Sequence, residues 1–432
     1  MPWRKMSKPC WTAGPHLGNQ LSCGTEIPRS GSRMIFTTGS SMIRETTRHT
    51  PEALWVEQLK QSDHALWEQF VRRHSRATFA HLPGISEAFE KAYGLKTVTL
   101  AAFCSRSAGN NEAPGTSEQR RTLVGLLPMV HIKPLLWGNE WVSMPFLDTG
   151  GVLAEDCETA EELVRQALRI AALERVRKLE FRQPGNGSCQ TAEAVAHRPA
   201  QENADVVEGY RKNVLRRKVR LVLELPDSPD TLMQSFKSKL RSQIQKPMRD
   251  GLTVAAGGLE LLDHFYEILC LNMKELGSPV HSKEFFQSIL RALPETTHIF
   301  VAYQKSTPLA AGLAIGFGDC LYNPWASSIK TYRKLNPNML LYWHMLEFGC
   351  RRNFKFFDFG RSTPQEGTYK FKVQWGAVPQ PLEWSVYTLG TSFSSEPREE
   401  KSRYATAIYC WKKLPVGLTK WLGPKIRKHI SL

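Results

Sequence analysis

Apolar residues recur at helical spacing in two segments that follow residue 51. In the first segment Asp63 stands where an N-cap is expected, directly before the periodic run. The second segment repeats the spacing after Gly84, and the pattern predicts two amphipathic helices with core-facing sides. The apolar faces comprise Leu66, Trp67, Phe70 and Val71 in the first helix and Ile85, Phe89 and Tyr93 in the second.

Extended runs flank and follow these two helices. A short strand is predicted at residues 54–59, and three more at residues 97–104, 122–132 and 140–146, with polar loop residues between them. A helix at residues 159–177 and a short strand at residues 178–181 complete the unit. The predicted order is helices, hairpin strands, helix, strand.

The second half of the chain repeats that order of elements. Residues 123–128 correspond in place to residues 309–314, and residues 178–182 to residues 356–361. The unit is too long for a solenoid repeat, so the pattern predicts a duplicated mixed α/β domain. The predicted strands are 219–225, 298–303, 309–317, 320–326 and 355–359, and the predicted helices are 227–250, 259–275, 282–293 and 338–352.

Four regions follow from this pattern. Residues 51–210 and 211–390 are predicted as the two domains. Residues 1–50 are basic and rich in Ser, Thr and Gly, without the apolar run of a signal peptide, and are predicted as a disordered, dispensable extension. Residues 391–432 form a basic tail in which aromatic and lysine residues alternate. The tail either rests on an anionic membrane or packs on the second domain.

Composition narrows the classes of function. The formal net charge is +16, which favours phosphate-bearing partners. The nine cysteines are scattered without a C-x-x-C spacing, which indicates a reducing cytoplasm and no zinc site. No apolar run reaches the roughly 18 residues of a spanning helix. No DNA-binding module is recognisable, and the basic run at residues 211–218 is either a solvated face or a contact for tRNA or lipid headgroups.

The most specific block of the sequence lies near the end of the second half. It reads FDFGRST at residues 357–363, GTYKFK at residues 367–372 and Trp-Gly at residues 375–376. Together with residues 239–244, 277–282 and 338–343, this block resembles the FemAB-type GNAT transferases, including BioF2-like acetyltransferases and the FemAB-like proteins of exosortase and exopolysaccharide loci. The resemblance covers about residues 52–388 and is closer in the second half.

The resemblance implies two GNAT domains side by side with a groove between them. It implies transfer of an acyl or aminoacyl group to an amine, with acyl-CoA or aminoacyl-tRNA as the donor and no metal. An ordinary Q/R-x-x-G-x-G/A pyrophosphate loop is missing, which weakens the acetyl-CoA assignment. Such chemistry needs no covalent nucleophile, in keeping with the absence of a G-x-S-x-G elbow.

Candidate residues follow from the same block. Asp358 ends a strand and can accept an amine proton or orient Arg361, although a structural role is an equal alternative. Arg361 and Lys372 offer cations for phosphate or carboxylate. We predict Asp358 and Lys372 as catalytic residues. The predicted donor- or acceptor-binding residues are Arg361, Tyr369, Arg241, Tyr322 and Asn323, and weaker candidates are Trp325, Trp375 and His281.

The sequence therefore predicts an N-acyltransferase or aminoacyltransferase that modifies an amino group of a cell-envelope, peptidoglycan or exopolysaccharide-linked precursor. We expect it to be cytoplasmic, with peripheral contact at the inner membrane face. The alternative is a catalytically idle double-GNAT scaffold that binds an anionic polymer in an exopolysaccharide assembly system.

Overall fold

A computed structural model describes residues 54–106, 120–134, 138–184, 208–390 and 405–431. All described residues belong to one compact unit, Pro51–Leu432. The predicted N-terminal extension and most of the predicted loops at residues 105–120 and 183–205 lie outside the described residues.

The first half follows the predicted order of elements. Pro83 begins the second helix, and Gly94 ends it in the left-handed conformation that glycine adopts without strain. The elements are β1 (Leu54–Gln58), α1 (His64–Arg73), α2 (Pro83–Tyr93), β2 (Thr97–Arg106), β3 (Arg120–Ile132), β4 (Glu140–Val142), β5 (Leu153–Ala154), α3 (Cys157–Leu173) and β6 (Lys178–Pro184).

The second half contains the repeated unit and three strands that the pattern did not predict, namely β7, β9 and β14. Its strands are β7 (Tyr210–Leu215), β8 (Val219–Glu224), β9 (Leu252–Gly257), β10 (Thr297–Gln304), β11 (Thr307–Phe317), β12 (Cys320–Ser328), β13 (Phe356–Ser362) and β14 (Val378–Leu389). Its helices are α4 (Pro229–Ser235), α5 (Ser238–Arg249), α6 (Leu262–Leu276), α7 (Lys283–Ala292), α8 (Pro337–Arg351) and α9 (Gly367–Val373).

Two predicted elements were wrong in detail. The helix predicted at residues 227–250 is two helices, because Phe236 leaves helical geometry and buries its ring against Trp343 and Trp375. The strand predicted at residues 140–146 ends at Val142, since the backbone beyond it turns into positive φ at Met144 and Phe146.

One sheet runs through both halves. Its strand order is β1-β2-β3-β4-β6-β14-β8-β13-β12-β11-β10-β9, with β5 beside β3 and β7 beside β14. Strand β14 joins the halves, because residues 378–381 pair with β8 and residues 382–388 pair with β6. The predicted domain boundary at 210/211 falls at the start of β7, whose Tyr210 is buried in the same core as Tyr387 of β14. The boundary itself stays a prediction.

A single apolar core connects the halves on one side of the sheet. It includes residues of α2 from the first half and of α6 and α7 from the second. Helices α2 and α7 are in direct contact through the rings of Phe89 and Phe285, whose centroids are 5.1 Å apart. Each half also has a core of its own. The expected groove is therefore closed along this side by buried side chains.

The end of the chain forms two helices, α10 (Ala405–Lys413) and α11 (Val416–Arg427). Pro415 separates them, and Pro424 lies within α11. They pack through Trp411, Thr419, Gly423 and Arg427, which are buried. Across the described part of the chain, no helix has the length and apolar character needed to cross a membrane.

Candidate functional site

Strands β12 and β13 form a fork in the second half. They pair in parallel only at Cys320, Leu321 and Tyr322, opposite residues 356–358. Beyond this point β12 continues against β11, while β13 pairs with β8 through an irregular step between Asp358 and Arg361. Gly360 has a φ of 73° in this step, a conformation that favours glycine. The two strands therefore separate directly after Asp358, within the FDFGRST block.

A small cavity of about 30 Å3 occupies the fork. The cavity has room for about one water molecule, so in this conformation it is too small to enclose a substrate. It shows where the candidate functional residues of the two halves meet. Residues of both halves surround it. The second half contributes Tyr322, Asn323, Pro324, Asp358 and Gly360, and the first half contributes Phe79, Phe146, Leu147, Asp148 and Thr149.

Asp358 is buried at the base of this fork. One carboxylate oxygen accepts a hydrogen bond from the Gly360 backbone N–H at 2.8 Å, and the other lies 3.6 Å from the Arg220 guanidinium. Burial raises the pKa of Asp358 to about 6, although the Arg220 guanidinium and the Gly360 N–H oppose the shift. A carboxyl group with this pKa exchanges a proton near neutral pH, which suits a general base.

Lys372 is also buried, in helix α9. Its ammonium donates to the backbone carbonyls of Gly360 at 3.0 Å and Arg361 at 2.9 Å. Burial lowers the pKa of Lys372 to about 8, while Asp148 and Asp358 favour its charged form. An ammonium has three N–H donors, so one remains for a ligand after these two bonds.

Asp148 of the first half completes the group, and the sequence reasoning missed it. Its carboxylate accepts from the Arg361 backbone N–H at 2.8 Å and lies 3.4 Å from the Arg361 guanidinium. It also favours the protonated form of Asp358, as expected for two nearby like charges. No sequence signal marks Asp148, because it precedes Arg361 by 213 positions.

Arg361 is held beside an aromatic ring. Its guanidinium lies 5.4 Å from the centroid of Trp384, and the buried Arg182 lies 4.3 Å from the same ring. The indole N–H of Trp384 donates to the Asp148 carbonyl at 3.2 Å. Trp384 of strand β14 thus helps to hold Arg361, the residue predicted from the sequence to bind phosphate or carboxylate.

Tyr322 and Asn323 line the cavity, as their place on β12 allows. The amide nitrogen of Asn323 donates to the carbonyls of Leu313 and Trp325, and its buried oxygen has no hydrogen-bond partner. Burial raises the pKa of Tyr322 well above its usual value, so this phenol stays protonated. Their binding roles stay predictions.

The other predicted residues lie apart from this cavity. Tyr369 packs against the core of the second half. The guanidinium of Arg241 donates to the carbonyls of Phe236 and Gln234, where it caps the end of α4. His281 is buried among aromatic rings, and burial lowers its pKa well below the usual value. Trp325 and Trp375 are core residues.

A second cavity of about 250 Å3 lies at the start of α8. Its rim carries amide, hydroxyl and guanidinium groups, together with the first residues of the helix. The helix dipole favours an anion at this end of α8, although Pro337 has no N–H and the Met339 N–H donates to the Asn336 carbonyl. The lining residues are Gln243, Ser328, Arg333, Asn336, Pro337, Asn338, Met339, Phe371 and Gln374.

The first half contains a corresponding parallel strand pair whose carboxylate is ion-paired. Strands β4 and β6 pair in parallel and place Glu180 opposite Val142, as β12 and β13 place Asp358 opposite Tyr322. Glu180 binds Arg182 and Lys178 through ion pairs, and together these cations outweigh burial and lower its pKa. The carboxylate of Glu180 is therefore used in ion pairs within the fold.

Comparisons with known proteins agree with this architecture. Residues 234–373 match the family model described as an acetyltransferase (GNAT) domain. The UDP-N-acetylmuramoylpentapeptide-lysine N(6)-alanyltransferase of Weissella viridescens is 25% identical over 183 residues, which cover 41% of this chain and 54% of that protein. The chain thus spans about half the length of this curated relative. The crystal structure of FemX matches with a TM-score of 0.56 and 14% identity, over 77% of this chain and 96% of FemX.

Two α/β units of the same order, each with a parallel strand fork, define a protein with a tandem GNAT fold, and FemX shares that fold. Residues 234–373 match a GNAT domain, and the chain resembles the FemAB-like double-domain GNAT proteins in sequence and in fold. The family resemblance and the fold class predicted from the sequence are thereby confirmed.

Proposed function

We propose that this protein is an N-acyltransferase or aminoacyltransferase that acts on an amino group of a cell-envelope precursor. The observation that carries the proposal is the fork of β12 and β13, where a carboxyl group of pKa about 6 lies near an ammonium of pKa about 8. These two groups are the acid and base that amide formation uses.

The chemistry requires a neutral amine that attacks the carbonyl carbon of a donor ester or thioester. The new C–N bond forms, the ammonium of the tetrahedral intermediate gives a proton to Asp358, and the C–O or C–S bond then breaks. The leaving alkoxide or thiolate takes a proton from the Lys372 ammonium, and the proton held by Asp358 then replaces it, so both groups regain their starting charge. The third N–H of Lys372, which its bonds to the Gly360 and Arg361 carbonyls leave over, supports a role in stabilising negative charge on the acyl donor.

The donor is acyl-CoA or aminoacyl-tRNA, both of which carry phosphates. The cavity at the start of α8 suits such a group, because Arg333 and the amide side chains on its rim can bind an anion at the positive end of the helix dipole. Arg361 is the candidate for a second phosphate or carboxylate. The described residues contain no group of three or more metal-ligand side chains, and the proposed mechanism uses no metal.

The acceptor is an amine of a peptidoglycan or saccharide-linked precursor. The name of the Weissella viridescens relative describes alanyl transfer to a lysine of such a precursor. The two carboxylates of Asp148 and Asp358 beside aromatic rings suit an ammonium group before it loses its proton. We place the reaction in the cytoplasm, where both donor classes are made.

A donor screen tests the proposal. Purified protein is incubated separately with acetyl-CoA, a longer acyl-CoA and charged tRNA, and its thermal unfolding is followed. The true donor binds the native state and raises the melting temperature. Lys372→Met should abolish the stabilisation or the transfer rate, whereas Lys370→Met on the exposed side of α9 is the matched control. Absence of stabilisation by all three donors would favour the idle scaffold.

A further inference from the structure

The outer face of helix α11 carries apolar and cationic side chains that the fold does not cover. Trp421 is 61% exposed and Leu418 is 41% exposed. Lys425 and Lys428 follow at the same helical phase, opposite the buried Thr419, Gly423 and Arg427. In α10, Tyr409 is 64% exposed and Lys413 lies over its ring.

We propose that α10 and α11 form a docking surface for an anionic lipid bilayer. Charge complementarity identifies the partner, since residues 405–431 contain no Asp or Glu and six basic residues, namely Lys412, Lys413, Lys420, Lys425, Arg427 and Lys428. Helices that lie in the membrane interface typically carry aromatic rings at the level of the lipid headgroups and lysines beside them.

Not all of these cations face outward. Arg427 is buried, and Lys420 lies over the ring of Tyr266 of α6. The cations available to lipid are therefore those of α10 and the outer phase of α11. Lys425 lies 3.6 Å from the centroid of Trp421, so the aromatic and the charge reach the surface as one unit.

The outer face of α11 is held in a fixed orientation because the inner face of the helix packs against the rest of the protein. Helix α11 packs so closely on the segment before α7 that a side chain at Gly423 would lie 2.8 Å from Val280. The end of the chain also contacts residues near the fork of β12 and β13. Arg427 lies 4.7 Å from the centroid of Phe146, and Arg182 donates to the Ser431 carbonyl at 2.6 Å. A protein bound through α11 would therefore hold its fork near the bilayer.

Flotation with vesicles tests this surface in the full-length protein. We expect binding to phosphatidylcholine vesicles that contain phosphatidylglycerol, weaker binding as salt rises, and little binding to phosphatidylcholine alone. The variant Leu418→Ser/Trp421→Ser should lower the partition coefficient about tenfold or more. Lys413→Gln and Lys425→Gln should each lower it about fivefold.

Leu173→Ser is the matched control, because Leu173 is 85% exposed at the end of α3, outside the docking surface. All of these substitutions lie on exposed positions, so thermal unfolding should be unchanged. Truncation before α10 is a poorer test, since it removes buried Trp411 and Arg427. Failure of the wild type to float with anionic vesicles, or equal flotation of the Leu418→Ser/Trp421→Ser variant, would overturn the proposal. Transfer to a water-soluble amine is independent of this surface and distinguishes its failure from failure of the proposed function.

Discussion

Asp358 and Lys372 titrate on either side of neutral pH because burial raises the pKa of the carboxyl and lowers the pKa of the ammonium, and the opposite charge of each group offsets only part of the other's shift. Asp358 is ionised above its pKa of about 6, and Lys372 is charged below its pKa of about 8. A reaction that needs an ionised Asp358 and a charged Lys372 is therefore fastest between these two values. The FDFGRST and GTYKFK runs place both residues at the fork.

The pH profile of transfer is the first expected outcome. The ratio kcat/KM should rise with pH through about 6 and fall through about 8. Asp358→Asn should remove the acidic limb and lower kcat by a factor of about 100 or more. Lys372→Arg should retain the cation and remove the alkaline limb. A profile of Asp358→Asn that matches wild type would exclude Asp358 as the base.

A buried histidine gives a second expected outcome, on stability. Burial lowers the pKa of His81 from 6.5 to about 4 in the folded protein. Between these values the unfolded chain binds the extra proton, so stability is lost as pH falls through this window. The contribution of His81 is roughly 3 kcal/mol.

The measurement is chemical unfolding of wild type and His81→Asn across the same pH range. The ring nitrogen of His81 accepts the Thr78 backbone N–H at 3.1 Å, and an amide oxygen can replace that acceptor. The variant should lose less stability between pH 6.5 and 4 than wild type. Parallel curves for the two proteins would contradict the assignment.

The site was predictable from sequence only where its residues are close in the chain. Asp358, Arg361 and Lys372 fall in one block, whereas Asp148 joins them through the fold alone. Arg241 shows that a sequence pattern can also suggest a binding residue where the fold uses the side chain for itself. A basic residue in a family-like segment suggests a ligand, but its guanidinium is used by the carbonyls at the end of α4.

The helices and strands with strong periodicity were predicted within a few residues. Strand β14 was missed because of its prolines. Pro379 and Pro381 argue against an interior strand, because proline cannot donate to the ladder. The structure accommodates them in the segment that pairs with β8. Strand β9 was missed because it follows Gly251 directly and is only six residues long.

Close packing of α3 on the sheet gives an expected outcome for an element. An added Cβ at Gly125 of β3 would lie 2.6 Å from Thr159 and 2.9 Å from Leu163 of α3. Gly125→Ala should therefore destabilise the protein by roughly 1–3 kcal/mol. Gly417→Ala in α11 is the control, because a Cβ there meets nothing within 4 Å. Equal melting temperatures for both variants would show that α3 can move away.

At the scale of the whole molecule, the halves depend on each other through β14 and the shared core. Strand β6 of the first half pairs with β14, which ends at Leu389. A fragment that ends at residue 210 lacks this strand and exposes the β6 edge, so we expect it to aggregate. Co-expression with residues 211–432 should restore a soluble complex, detectable by gel filtration. A folded monomeric fragment would show that β14 is dispensable.

The two forks have different roles in the proposed function. In the first half Glu180 is paired with Arg182 and Lys178, whereas burial raises the pKa of Asp358 in the second half. The first half nevertheless contributes Asp148, whose carboxylate reaches across to Arg361. The fork of the second half therefore depends on a residue of the first half, and an isolated second half would lack one of its two carboxylates.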